Sequence, residues 1–200
     1  LANGTELLAA PGAQAHWGNK TVGDATNFFV AGNLKLPDGS ARSFFRVWSP
    51  LISAFPRPRG LAKLTAEGQR AQARYETGKQ VVGDCDVPGM PYAMMSPYPM
   101  EIVDQGKQLT IRGEAYDLTR TVYLQAPAGS RAPALQGTSV GRFSGDELII
   151  ETSGIDYDSY GDLGPAESKE SHVVERFKLS ADGTKLDYEI TITDPVMLAE

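Results

Sequence analysis

Six charged or titratable side chains, Glu114, Arg120, Arg142, His172, Glu175 and Arg176, and two phenols, Tyr98 and Tyr123, have the types and spacing to form a polar site. Paired guanidiniums hold carboxylates, phosphates and enolates through forked hydrogen bonds. A carboxylate such as Glu175, or an imidazole such as His172, can take and return a proton. With arginines stabilising a developing oxyanion, these parts suffice for a cofactor-independent lyase or isomerase acting on a small aromatic or carbonyl-bearing substrate. Without proton transfer they make a binding site for an anionic or phenolic ligand. The same charges also suit a structural Arg-Glu-Arg network that locks an interior and touches no ligand.

What makes Arg120, Arg142 and Glu175 stand out is the pattern of the strands that carry them. Thr138 to Thr152 reads as two strands around Ser144-Gly145-Asp146, a hairpin turn. Pairing Phe143 with Glu147 across a three-residue turn groups Val140, Leu148 and Ile150 on one face and forces Arg142 onto it. In the hairpin 107–125, closed by Tyr116-Asp117, Leu109 meets Leu124, Ile111 meets Val122, and Gly113 leaves room for Arg120. In the last hairpin, around Ala181-Asp182-Gly183-Thr184, Leu179 pairs with Leu186, Phe177 with Tyr188, Glu175 with Ile190 and Val173 with Ile192. Each hairpin thus places one charge on its apolar face. Consecutive hairpins tend to be neighbours, so the three charges are expected to converge. His172 shares its face with Val174, Arg176 and Lys178 and points outward unless the acidic loop covers it.

The rest of the chain supplies the frame. Phe28 to Leu36 and Ala41 to Trp48 read as strands around the turn Pro37-Asp38-Gly39-Ser40. Thr65 caps a helix expected over Ala66 to Glu76, with Glu67 in its first turn and Gly78 beyond its end. Its Ala, Gln and Arg content suits a lid or brace. Val81 to Pro99 is irregular and rich in Pro and Met; Cys85 with Met90, Met94, Met95 and Met100 suggests either soft ligands for Cu(I) or a flexible packing surface, and packing is the simpler reading. The acidic loop 154–169 lacks the spacing and closing Glu of a calcium-binding EF-hand and reads as a solvated flap.

Composition bounds the function. With 200 residues, 41% apolar and 22% charged, the chain fits one domain. The expected division is an N-terminal extension, 1–60, carrying a β-hairpin packed on an antiparallel β domain, 61–200. A net charge of -6 argues against nucleic acid, which needs clustered Lys and Arg. No apolar run approaches the length of a membrane span. The single cysteine, Cys85, excludes an intrachain disulfide and a Cys-based metal cluster. Neither a phosphate-cradling glycine motif nor a G-x-S-x-G elbow occurs, and no cofactor or metal is expected. Beginning at Leu1 without an initiator Met, the chain reads as a processed or trimmed product.

Several pieces in order carry a further signal: L-T-A-E-G at 64–68, C-D-V-P-G-M-P at 85–91, P-Y-P-M-E-I-V at 97–103 and E-A-Y-D-L-T-R at 114–120. S-V-G-R-F-S-G-D-E-L at 139–148, H-V-V-E-R-F at 172–177 and D-P at 194–195 complete the series. Through them, residues 64–195 resemble a widespread, uncharacterised bacterial family of exported proteins. The resemblance implies a periplasmic or secreted location and brings no activity. It takes in Glu114, Arg120, Arg142, His172, Glu175 and Arg176, which implies a shared role for them, structural or functional.

The expected fold is mainly β, an antiparallel up-and-down barrel or strongly curved sheet of calycin or lipocalin-like shape, with one short helix and the Pro/Met segment over one end. Such small barrels can hold one modest ligand. The leading expectation is a periplasmic small-molecule-binding protein with a charged interior site. The lyase or isomerase is the second, and a structural or partner-binding domain the third.

Overall fold

The computed structural model describes residues 25–31, 44–50, 63–74, 87–94, 98–129, 131–158 and 167–199. The turn at 37–40, Cys85, Met95 and residues 159–166 of the acidic loop lie outside these residues. The described strands are β1 (Ala25–Ala31), β2 (Val47–Pro50), β3 (Met100–Asp104), β4 (Gln108–Gly113), β5 (Thr119–Tyr123), β6 (Thr138–Ser144), β7 (Glu147–Ser153), β8 (His172–Leu179) and β9 (Lys185–Thr193). They follow one another around a closed barrel, with β1 returning to pair with β9. The expected barrel class is therefore present. β1 and β2, expected as a hairpin packed on the domain, are staves of the barrel wall.

One junction departs from the up-and-down pattern. β5 and β6 run parallel, with Val122 beside Ser139 and Tyr123 beside Val140, while the other neighbours are antiparallel. Parity demands such an exception. A ring of nine strands closes only if the number of direction reversals is even, so an odd number of its junctions must be parallel. The connection from Tyr123 to Thr138 is long enough for the crossover that a parallel pair requires.

Local chemistry fixes the turns. Tyr116 and Asp117 both take positive φ, 58° and 50°, and the Leu118 amide donates to the Ala115 carbonyl at 3.2 Å. This is the left-handed two-residue turn that matches strand twist. Between β8 and β9, Gly183 at φ 70° allows Asp182 to accept from the Thr184 amide and hydroxyl and from the Ser180 hydroxyl. Those donors pull the Asp182 carboxyl down to about 2.

Inward residues alternate along each strand as a half-buried sheet requires. Ile102, Ile111, Val122, Ile150, Phe177 and Tyr188 are among the buried residues of the core, with the Phe177 and Tyr188 rings 4.6 Å apart. Trp48 is fully buried and its indole N–H donates to the Phe44 carbonyl at 2.9 Å. Met90, Met94 and Met100 belong to the same core, as the packing reading expects.

The helix, α1 (Ala66–Arg74), buries only Gly68 and acts as a brace. Thr65 caps it through the Gly68 amide at 3.0 Å while its own hydroxyl donates to the Val196 carbonyl at 2.5 Å. A Cβ at Gly68 would lie 2.2 Å from the Met197 carbonyl oxygen, so the helix rests on the C-terminal turn by its backbone. Among the described residues no helix is long and apolar enough to cross a membrane.

Candidate functional site

Arg120 and Glu175 do converge. Arg120 on β5 and Glu175 on β8 face the barrel interior at 1% and 0% exposure and form an ion pair. Nη1 donates to Oε1 at 3.0 Å and Nη2 to Oε2 at 2.5 Å, the forked geometry that suits guanidinium and carboxylate. Nε and Nη2 also donate to the Ser139 hydroxyl at 3.0 and 2.9 Å, and Nη2 to the Thr152 hydroxyl at 2.8 Å. Ser139 and Thr152 are cross-strand partners whose hydroxyls lie 2.9 Å apart, one donating to the other. The Tyr188 hydroxyl donates to Glu175 Oε1 at 2.9 Å.

Every nitrogen of Arg120 and both oxygens of Glu175 are thus engaged by side chains. Burial, together with the Glu175 charge, pushes the Tyr188 phenol well above its ordinary value, so it stays a donor. The pair sits among Val122, Ile150, Phe177 and Tyr188, all fully buried. Chemically, the network is a cross-brace between β5, β6, β7, β8 and β9. For Glu175 to act as a base it must first leave Arg120 and Tyr188, at the full cost of exposing a buried charge to an apolar interior.

Arg142 does not join them, which corrects the expected register. The chain turns on Gly145-Asp146 alone, pairing Ser144 with Glu147 and Arg142 with Ile149. A shift of one residue exchanges the faces of a strand. Arg142 therefore lies outside, exposed, with Nη1 donating to Glu151 Oε1 at 2.7 Å. Ser139 and Gly141 take the inward places instead. At Gly141 the wall is tight, since a Cβ there would lie 2.7 Å from Val122 Cγ1.

The other candidates are dispersed. Glu114 is exposed beside the Tyr116-Asp117 turn. His172 and Arg176 lie on the outer face of β8, with Arg176 donating to Glu147 Oε2 at 3.2 Å. Tyr123, at the end of β5, carries the Arg131 guanidinium over its ring at 4.6 Å. Ser139 and Thr152 escaped the sequence reading, although two small hydroxyl residues on inner positions near an arginine are the signal of a buried polar partner.

Tyr98 marks a different place. It lines a cleft at one end of the barrel, together with Pro88, Ala93, Met94, Pro99, Met100, Gly113, Ala115, Tyr116 and Leu118. The cleft offers an accessible volume of about 20 Å³ within about 380 Å³ of non-atom space that includes open solvent. That accessible volume is about the room of one water molecule. None of the described lining residues is charged, and Tyr98 is 54% exposed. The rim is built by the irregular segment ahead of β3 and by the Tyr116 turn. The Met90-Pro91 peptide is cis, and the Met90 amide donates to the Leu135 carbonyl at 3.0 Å. Gly89 passes so close to Tyr157 that a Cβ would meet its ring at 2.3 Å. Among the described residues no group of three or more His, Cys, Asp or Glu is placed to hold a metal ion.

Comparison with known proteins yields no match: no family model, curated protein or solved structure aligns with the chain.

Proposed function

We propose that the protein is a small-molecule-binding β-barrel, exported to the periplasm or secreted, that takes a small neutral aromatic or phenolic ligand at the cleft between Tyr98 and Tyr116. The observation that carries this reading is the cleft itself: apolar, uncharged and open, with an exposed tyrosine on its wall. An aromatic ring gains by edge or face contact with Tyr98 and by sulfur contact with Met94 and Met100. With no cation in the lining, an anionic ligand finds no counter-charge there, and a phenol is favoured over a carboxylate.

The barrel interior supports a binding role less well, because Arg120 and Glu175 satisfy one another. That same packing favours a second reading, a structural or partner-binding domain with a filled core. A lyase or isomerase at Glu175 draws no support from a carboxylate held by an arginine and a tyrosine. Calorimetric titration with p-cresol and with benzoate separates the first two readings. Binding of p-cresol that weakens at least about tenfold in Tyr98→Ala, a loss of about 1.4 kcal/mol, supports the cleft. No heat from either probe favours the partner-binding domain. The periplasmic location rests on the motif resemblance, and release of the native protein by osmotic shock tests it.

A further inference from the structure

Glu167 lies where the chain returns toward β8, and it is buried to 6% exposure. Among the described residues neither of its carboxylate oxygens is in good hydrogen-bond geometry with a partner; the buried Ser171 hydroxyl lies near it without reaching that geometry. A carboxylate in that position carries the full desolvation penalty, whereas a neutral acid carries much less.

The stretch that bears Glu167 is otherwise firmly attached. The Glu167 amide donates to the Asp158 carbonyl at 3.2 Å. The Ser168 amide and hydroxyl each donate to the Asp194 carboxylate at 2.8 Å, the Glu170 amide to the Ser168 hydroxyl at 3.1 Å, and the Ser171 amide to the Ser168 carbonyl at 3.2 Å. Asp194 in turn accepts from the Val196 and Met197 amides at 3.0 Å, in the turn on which α1 rests. Hence 167–171, the C-terminal turn and the helix cap form one connected unit with an unsatisfied acid inside it.

Among the described residues, the charged groups acting on Glu167 are Asp194, just past β9, and Asp158, across the base of the loop. Both are carboxylates. Lys169, the nearest cation in sequence, is exposed and paired with Asp156. Among these groups nothing compensates a negative charge at Glu167.

We propose that Glu167 is a pH-operated latch: as a neutral acid it stays seated and keeps 167–171 on Asp194, and on ionising it withdraws and lets that stretch lift away. Burial is the largest influence on its carboxyl and raises it; the nearby Ser171 hydroxyl acts the other way, and Asp194 and Asp158 raise it further, to about 8. The closed state therefore binds its proton more tightly than the open state. Opening is suppressed in acid, grows as the pH rises from the ordinary carboxyl range, and levels off above the closed-state value.

Amide hydrogen exchange of the full chain, corrected for intrinsic rates, tests the latch at Ser168, Glu170 and Ser171. The opening constant in wild type is expected to rise about tenfold per pH unit between about pH 5 and 8 and then to plateau. Glu167→Gln should abolish the dependence. Asp158→Asn, at an exposed position, should move the plateau to lower pH and serves if Glu167→Gln fails to fold. A flat wild-type profile, a Glu167→Gln profile that follows wild type, or an unmoved plateau in Asp158→Asn would overturn the latch. So would restoration of protection at pH 8 by calcium chloride, which would make Glu167 part of a cation seat.

Discussion

Arg120 and Glu175, 55 residues apart in the chain, meet fork to fork inside the barrel, and Tyr188 donates to the same carboxylate from the neighbouring strand. A buried ion pair is not in itself a large source of stability, because its Coulomb energy is largely offset by desolvation. Breaking it is another matter. Glu175→Gln and Arg120→Met should each cost about 3–5 kcal/mol in urea unfolding, since either leaves a charge alone in an apolar interior. The joint replacement Arg120→Met with Glu175→Leu should cost clearly less than the sum. Additive losses would mean that the two groups do not act as a pair.

Arg142 provides the contrast. Its pair with Glu151 is exposed on both sides, so solvent screens it. Arg142→Ala should change stability by less than about 1 kcal/mol and leave the fold intact. A loss comparable with that of Arg120→Met would place Arg142 inside the barrel.

Gly141 sets how closely β6 approaches β5 at their parallel junction. An added methyl would meet Val122 Cγ1 at 2.7 Å, and a β-branched side chain has little room to turn aside. Gly141→Ala should destabilise by about 1–3 kcal/mol. Pairing it with Val122→Ala should give a smaller loss than the two single changes added together. Denaturant midpoints of the three variants settle the point.

Asp182 predicts an acid dependence with a definite sign. Its folded value, about 2, lies below the ordinary 3.8 because Ser180 and Thr184 donate to the ionised form. The stabilisation is present above about pH 4 and is lost as the pH falls through about 2. Asp182→Asn should flatten that part of the stability profile, measured as Tm against pH. An unchanged acid slope in Asp182→Asn would assign the loss to other carboxylates.

How much of this was legible in the sequence depended on the turns. At β8 and β9 the Asp182-Gly183 turn fixes the register, and the pairs Leu179–Leu186, Phe177–Tyr188 and Glu175–Ile190 follow the sequence reading. At β4 and β5 the expected pairing is off by two residues, with Ile111 beside Arg120. Strand faces repeat every two residues, so Arg120 still points inward. At β6 and β7 the slip is one residue, and Arg142 changes sides. The corrective signal was Gly141, a residue whose missing side chain suits a crowded inner position, and Glu151, which lies diagonally across from Arg142 on the outer face. The parallel junction and the mouth cleft depend on chain closure and on the path of the 88–100 segment, which no local pattern encodes. Glu167 was hidden because nothing in the acidic run distinguishes a buried carboxylate from its solvated neighbours.

The most direct measurement is a nuclear magnetic resonance titration of the full chain with p-cresol, following amide and side-chain shifts together. Shifts confined to Met94, Tyr98, Gly113 and Tyr116, with Ser139, Thr152 and the Arg120 side chain unmoved, are the expected result. Shifts centred on Arg120, Ser139 and Thr152 would put the ligand in the barrel interior and contradict a mouth site over a sealed ion pair.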